Sequence, residues 1–281
     1  MISVILVTFF ALFTQEPFAS GFALDLHLPK SNPDVVCIME HCREESLNCA
    51  RDSGCRTNME CVMKCGFTNN SCLFECMNTY EDAIYDALMA CLVDDHHCMT
   101  LPPPDKKFKC DVPSTYAANF TLPLLSGTWY VVLGFNKDYD CFDCQISSYS
   151  KTPNSSNFTL TERYDVKMLN GTLRHRAAVQ KVGQRSRSMG VLDFTNKMMG
   201  LTMYEQWKVL DYAVSGDYVV LHYCGLMAED WRYQGGVVYS RTPGLTSAQW
   251  QGVDDALKRT LGTSVKDYCR PNTSGCTAPM S

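Results

Sequence analysis

Four cysteines, Cys61, Cys65, Cys72 and Cys76, restrict this chain more than any other feature. They form two CxxxC units around a short loop holding Gly66 and the pair Asn69-Asn70. Residues four apart lie on one face of a helix. Two helices joined by a tight turn therefore set Cys65 against Cys72 and, one turn further out, Cys61 against Cys76. The expected unit is a helical hairpin held by two rungs. Ten of the sixteen cysteines lie between Cys37 and Cys98, a density that reads as a disulfide framework. Zinc is the alternative. CxxxC spacing with only His41, His96 and His97 nearby does not match the CxxC pairs of structural zinc sites, so no metal is expected.

Disulfides need an oxidising or exported compartment, and the N-terminus agrees. Residues 2–13 are an apolar run of signal-peptide length, followed by Ala19-Ser20-Gly21. The run is short for a bilayer span, and no later segment is a candidate for one. Residues 1–21 therefore read as a signal that takes the chain into the secretory route. Six N-x-S/T sequons, at Asn69, Asn119, Asn154, Asn157, Asn170 and Asn272, are compatible with export. A net charge of −5 weighs against nucleic acid as a partner.

The chain of 281 residues has room for one large or two modest domains. From 34 to 99 apolar and cysteine positions recur at three and four, as in Cys72, Cys76, Tyr80, Ile84, Leu88 and Cys91, which predicts helices. Pro102-Pro103-Pro104 ends that region and forms a stiff spacer. From about 120 the period becomes two and β-branched and aromatic residues dominate. Nine strand candidates follow: 127–135, 145–150, 157–164, 172–180, 190–194, 200–204, 207–211, 218–223 and 236–240. Asn170-Gly171, Ser215-Gly216-Asp217, Gly225 with its neighbours and Gly235-Gly236 read as the turns between them. Eight or nine short strands at even spacing predict an up-and-down barrel. A helix follows, capped by Thr246 or Ser247, striped by Trp250, Val253, Leu257 and Leu261, and stopped by Gly262. The division is 1–21 targeting segment, 34–100 cysteine-rich helical domain, 101–118 Pro-rich linker, and 119–281 barrel with C-terminal helix and tail.

Gly127-x-Trp129 in the first strand, the barrel, Arg241 just after the last strand and a closing helix follow the lipocalin plan. In that plan the Trp closes the barrel floor and the Arg lies across its ring, a cation–π contact. The fold class is then α+β: a small disulfide-rich helical domain ahead of a lipocalin-type up-and-down β-barrel with a C-terminal helix. Such barrels hold one elongated apolar ligand.

Two stretches narrow this further. Asp138-Tyr-Asp-Cys-Phe-Asp-Cys-Gln145 follows the GxW strand, and Gly235-Gly-Val-Val-Tyr-Ser-Arg241 forms the last one. With the ladder Cys37, Cys42, Cys49, Cys55, Cys61, Cys65, Cys72, Cys76, Cys91 and Cys98, and with Ala178-Val179-Gln180-Lys181 in a barrel strand, the chain resembles the violaxanthin de-epoxidase family from about 37 to 276. The Cys65–Cys72 loop is shorter than the family's. The resemblance implies a xanthophyll-modifying oxidoreductase of the plastid thylakoid lumen that reduces an epoxy-carotenoid such as violaxanthin, with ascorbate as co-substrate and no metal or nucleotide. It implies peripheral contact with the thylakoid membrane and a homodimer as partners to test. It implies bridges Cys37–Cys55, Cys42–Cys49, Cys61–Cys76, Cys65–Cys72, Cys91–Cys98 and Cys144–Cys276. Cys110, Cys141, Cys224 and Cys269 are extra, and their even number allows two more bridges.

The implied chemistry needs a general acid beside a weakly basic epoxide oxygen, kept protonated by an apolar pocket. The family places a carboxyl before a Trp in a Tyr-rich strand and a tyrosine on the last strand. Here those positions are Tyr204-Glu205-Gln206-Trp207 and Tyr239. The family's acid stands in an aspartate pair, so Glu205 is the nearest match. Alternation puts Glu205 and Trp207 on one face and Tyr204 and Gln206 on the other. If Trp207 lines the cavity, so does Glu205. Glu205 and Tyr239 are the candidate catalytic residues. Gln145, Gln180, Trp207 and Tyr223 are the candidate substrate- or ascorbate-binding residues. Asp143 reads as a turn residue making an Asx-type bond.

Two departures bear on regulation. The family's pH-responsive member has several barrel histidines and a long Glu-rich tail. Here the barrel has His175 and His222, and the chain stops at Ser281. This moves the chain toward the de-epoxidase-like and de-epoxidase-related members. Some algal relatives imply rearrangement of an epoxide to an allene without reductant. A non-catalytic carotenoid or lipid carrier is the alternative outside the enzymes. Ala19-Ser-Gly-Phe22 resembles the cleavage motif for plastids of secondary origin.

Overall fold

Three helices of the cysteine-rich region begin on the same device. A short polar side chain accepts the free amide of a cysteine three residues later. Asp34 caps Cys37 at 3.2 Å, Asp52 caps Cys55 at 2.8 Å and Asn69 caps Cys72 at 3.2 Å. The helices are α1 (Val35–His41), α2 (Arg43–Arg51), α3 (Ser53–Cys65), α4 (Asn70–Tyr80) and α5 (Ala83–Met89), the last running on as a π-helical turn, Ala90–Asp95. The computed structural model describes residues 32–66, 69–101, 105, 107–184, 189–228 and 231–276. The targeting segment expected at 1–21, the Ala19–Phe22 motif and the prolines 102–104 lie outside the described residues.

Eight bridges use all sixteen cysteines. α3 and α4 form the two-rung hairpin, with Cys65–Cys72 inside and Cys61–Cys76 outside. Three implied pairings are corrected. Cys37 joins Cys98 rather than Cys55, Cys42 joins Cys91 rather than Cys49, and Cys49 joins Cys55; Cys91–Cys98 is therefore absent. Cys42 sits at the start of α2 and Cys49 lies inside it. Seven residues of helix separate them by about 10 Å, beyond the reach of a disulfide. α1 instead lies against the end of the region, where Asp34 N donates to Cys98 O at 2.8 Å and the rings of His41 and His96 stack at 4.6 Å. The extra cysteines pair as Cys110–Cys224 and Cys141–Cys269, and Cys144–Cys276 ties the tail to the start of the second strand.

The barrel is closed, antiparallel and in sequence order. Its strands are β1 (Gly127–Gly134), β2 (Asp143–Lys151), β3 (Phe158–Lys167), β4 (Leu173–Gln184), β5 (Val191–Met198), β6 (Leu201–Tyr212), β7 (Tyr218–Met227) and β8 (Trp231–Ser240). The nine expected strands become eight because 200–204 and 207–211 are one strand. Glu205 and Gln206, which seemed to interrupt it, pair with Phe194 and Asp193 on one side and with Gly225 and Cys224 on the other.

Gly225 and Gly235-Gly236 are also not turns but strand interior. Gly225 pairs with Tyr233, and Tyr223 pairs with Gly235. A Cβ at either glycine would collide with the facing tyrosine ring. The glycines are there for close approach.

Side chains of alternate residues fill the floor of the barrel: Trp129, Val131, Leu160, Val182, Leu192, Phe194, Val209 and Tyr239. Trp129 Nε1 donates to Leu125 O at 2.7 Å from a 3₁₀ turn, Leu122–Leu125, that plugs this end. Arg241 lies over the Trp129 ring at 3.4 Å and donates to the carbonyls of Thr128 and Ser126. Outside the wall, α6 (Ser247–Leu261) begins at a Thr246–Gln249 capping box and ends at Gly262, whose φ is 70°. It buries Val253 and Leu257 against Val132, Leu133, Val220 and Val238.

The helical region covers the other end. Arg174 donates to the carbonyls of Asn78, Thr79 and Glu81, and Arg176 pairs with the buried Glu81 carboxylate. Thr202 N donates to Asp94 at 2.7 Å, and Ser71 Oγ to Asp138 at 2.9 Å. No helix among the described residues is long and apolar enough to cross a membrane.

Candidate functional site

Between the plugged floor and the helical cover lies a cavity of about 370 Å³. Its upper wall is methionine and aromatic: Met77, Met89, Met198, Met203, Met227 and Phe74. Its lining includes four carboxyl groups, the exposed Asp105 and the buried Glu205, Asp140 and Glu162. Burial holds the last three away from the solvation that favours their charge.

Glu205 turns inward with Trp207, as the strand alternation requires, while Tyr204 points out at 57% exposure. Trp207 Nε1 donates to Glu205 Oε2 at 2.7 Å, and Tyr233 OH donates to Oε1 at 2.7 Å. Burial pushes the Glu205 pKa up to about 7, with Tyr233 and Trp207 acting against it. A carboxyl with that pKa holds its proton in mildly acidic solution and can release it. Trp207 is stacked between Phe194 and Tyr223, each at 4.6 Å, so the acid rests against a rigid aromatic wall.

Asp140 was not singled out from the sequence, although it stands in the Asp138–Gln145 stretch. It enters the cavity through space left by Gly134 on β1 and Gly235 on β8. Its carboxyl accepts from Tyr223 OH at 2.5 Å, Asn136 N at 2.9 Å and Gly236 N at 3.1 Å. Burial pushes its pKa up to about 7 despite these donors. Asp143 has a different job from the Asx turn expected of it. Its carboxyl accepts from Asn272 N at 2.9 Å and helps fasten the C-terminal tail.

Glu162 on β3 was also missed. Its signal was its phase, because it continues the inward series Phe158, Leu160 that forms the core face. It accepts from Ser147 Oγ at 3.1 Å and Gln180 Nε2 at 2.6 Å, and burial raises its pKa against those bonds and one from Gln145. Gln145 and Gln180 both line the cavity, beside Asn196 of β5.

Tyr239 is not in the cavity lining. It is fully buried one layer lower, with its hydroxyl 3.0 Å from that of Tyr149 and its ring against Trp129. Burial raises the pKa of Tyr239 and Tyr149 well above that of an ordinary phenol. Tyr223, by contrast, lines the cavity and touches Asp140. Neither His175 nor His222 enters the cavity. His175 is exposed beside Asp165, and burial lowers the His222 pKa to about 4.

The family model described as VDE lipocalin domain matches residues 34–273. Violaxanthin de-epoxidase, chloroplastic, of Arabidopsis thaliana is 26% identical over 246 residues, covering 85% of this chain and 53% of the relative. The protein of the same name from Nicotiana tabacum is 25% identical over 253 residues, covering 87% and 52%. The chain thus spans about half the length of the curated relatives it matches. Among solved structures, lobster apocrustacyanin A1 overlays with a TM-score of 0.42 at 13% identity, covering 59% of this chain and 92% of that one. Insecticyanin from the tobacco hornworm Manduca sexta overlays at 0.46 with 14% identity, covering 60% and 89%.

Proposed function

The chain belongs to the VDE lipocalin domain family, and from that premise we propose that it reduces an epoxy-carotenoid such as violaxanthin with ascorbate. The single observation that carries this reading is Glu205. It is a buried carboxyl with a pKa of about 7, held by Trp207 and Tyr233 on the wall of a cavity whose upper part is methionine and aromatic. The cavity lies near the lower end of the about 300–1,000 Å³ usual for ligand sites. It suits one end ring of the carotenoid and the adjoining polyene.

In this reading protonated Glu205 gives its proton to the epoxide oxygen as a C–O bond opens. Ascorbate supplies the electron pair and leaves as dehydroascorbate. A second proton releases the oxygen as water, and the two former epoxide carbons become a double bond. Asp140, held at the same cavity by Tyr223, is a further carboxyl able to supply that second proton. Tyr239 acts from below the cavity, through its contacts with Tyr149 and the floor, rather than on the substrate. The plastid lumen is the matching compartment, since it supports both disulfides and an acidic pH.

Asp140 favours a second reading. An acid and a neighbouring base can also open the epoxide and then remove a proton from an adjacent carbon, leaving an allenic isomer without reductant. Incubating the oxidised protein with violaxanthin at pH 5, with and without ascorbate, separates the two. Ascorbate-dependent zeaxanthin or antheraxanthin is expected. An ascorbate-independent isomer would replace the first reading by the second, and tight binding without any product would leave a carrier.

A further inference from the structure

The three polar residues Gln145, Glu162 and Gln180 sit on three successive strands and are not independent. Ser147 and Glu162 are directly opposed across β2 and β3, and Gln180 is the diagonal neighbour of Glu162 across β3 and β4. In its ionised form Glu162 only accepts hydrogen bonds, and a glutamine facing it then presents its NH2 group. Gln180 Nε2 does so at 2.6 Å, and the Gln145 side chain is a further donor to the same carboxyl. The amide orientations are then no longer free. Both carbonyl oxygens are turned away from Glu162, and both are buried with no partner in the protein, as is the carbonyl of Asn196 beside them. Gln145, Glu162, Gln180 and Asn196 all line the cavity. Buried acceptors of this kind are costly unless a ligand supplies donors.

We propose that Glu162 is a positioning residue that locks Gln145 and Gln180 into an acceptor pair, and that this pair selects ligands carrying hydroxyl groups. The inference rests on the reading of the cavity as a xanthophyll site and adds a selection rule to it. Two sources carry the required chemistry: the ring hydroxyl of a xanthophyll and the enediol of ascorbate. A carotenoid hydrocarbon would bury the carbonyls without satisfying them. A site built to hydrogen-bond a hydroxyl discriminates strongly against the analogue without one.

Binding, not turnover, tests this. Quenching of tryptophan fluorescence by zeaxanthin and by β-carotene gives the affinity ratio for two polyenes that differ in ring hydroxyls. Ascorbate and its enediol-blocked dimethyl ether give the second ratio. Wild-type protein should prefer the hydroxylated member of at least one pair by about tenfold or more. The pair that shows the preference identifies the source. Glu162→Gln, whose amide can donate as well as accept, should reduce that ratio to below about threefold. Gln180→Met should reduce it similarly, and the double variant should lose no more than either single one. If Glu162→Gln weakens both members equally, or leaves the ratio intact, Glu162 is only structural and the proposal fails. It fails equally if wild-type protein prefers neither hydroxylated ligand. Selective binding without turnover would sink the reductive reading and leave the acceptor pair standing.

Discussion

The helical cover and the barrel interior solve opposite problems. The cover is small and has few buried apolar side chains, among them Ile38, Leu73, Leu88 and Leu92. It is held by five bridges within 37–98. The barrel interior contains no bridge and one large continuous apolar cluster. A small domain cannot bury enough surface to offset chain entropy, so it needs covalent ties. A barrel with surplus apolar burial can instead tolerate three desolvated carboxyls, whose raised pKa values make them chemically useful. Stability is covalent where the molecule is thin, and the strain of function sits where packing is abundant.

The largest test of this contrast is Glu205→Gln. It should lower turnover by about 10²–10⁴-fold, the usual contribution of a general acid, while thermal unfolding stays near that of wild type. Full turnover in this variant would remove the acid from the barrel side of the comparison.

On the cover side, replacing Cys42 and Cys91 with alanine should destabilise the helical region by about 2–4 kcal/mol. Removing Cys49–Cys55, which closes only a short loop, should cost less. Denaturant unfolding followed by helical circular dichroism measures both. Mass mapping of the intact protein should recover Cys42 linked to Cys91; a Cys42–Cys49 peptide would overturn the placement of α1.

The pH dependence separates the regions by sign. Asp140 and Glu205 have folded pKa values raised to about 7. Their neutral forms therefore favour the fold, an advantage fully present below the unfolded values near 4. It is lost as pH rises from there to about 7, at a slope of at most about 1.4 kcal/mol per pH unit for each group. Barrel stability should fall over that window, and Glu205→Gln should flatten the slope. Turnover should rise as pH falls through about 7. A stability curve that climbs with pH there would contradict the buried, neutral state of both groups.

The smallest expected effect is at the floor. Arg241→Met keeps the apolar stem and removes the cation–π contact and two hydrogen bonds. It should cost about 1–2 kcal/mol without changing turnover.

The α3–α4 hairpin was legible because its information is local: two CxxxC units and a helical period leave one arrangement. The pairing of Cys37, Cys42 and Cys49 was not, because it depends on where α1 comes to rest. Glu205 was legible through the family resemblance, and alternation added only that it shares a face with Trp207. The pair Glu205-Gln206 was misread as a boundary between two strands, since polar residues in a strand look the same whether the chain turns there or one of them faces a cavity. Gly225 and Gly235 were misread for a related reason. Glycine marks a turn when solvent surrounds it and a close contact when a ring lies over it. Asp140 could be found only in three dimensions, because the loop after β1 folds back into the barrel through gaps left by glycines on two strands.

What the sequence determined by itself was the disulfide-dense helical start, the barrel with its GxW floor and Arg241, and the shared face of Glu205 and Trp207 on β6. Each follows from spacing along one segment. Only the tertiary structure decided which cysteines meet across the cover, and which carboxyls share the cavity. It also turned Gln145 and Gln180 from two polar residues into an oriented pair. Those are relations between distant segments, and they exist only once burial has brought the segments together and stripped the water from between them.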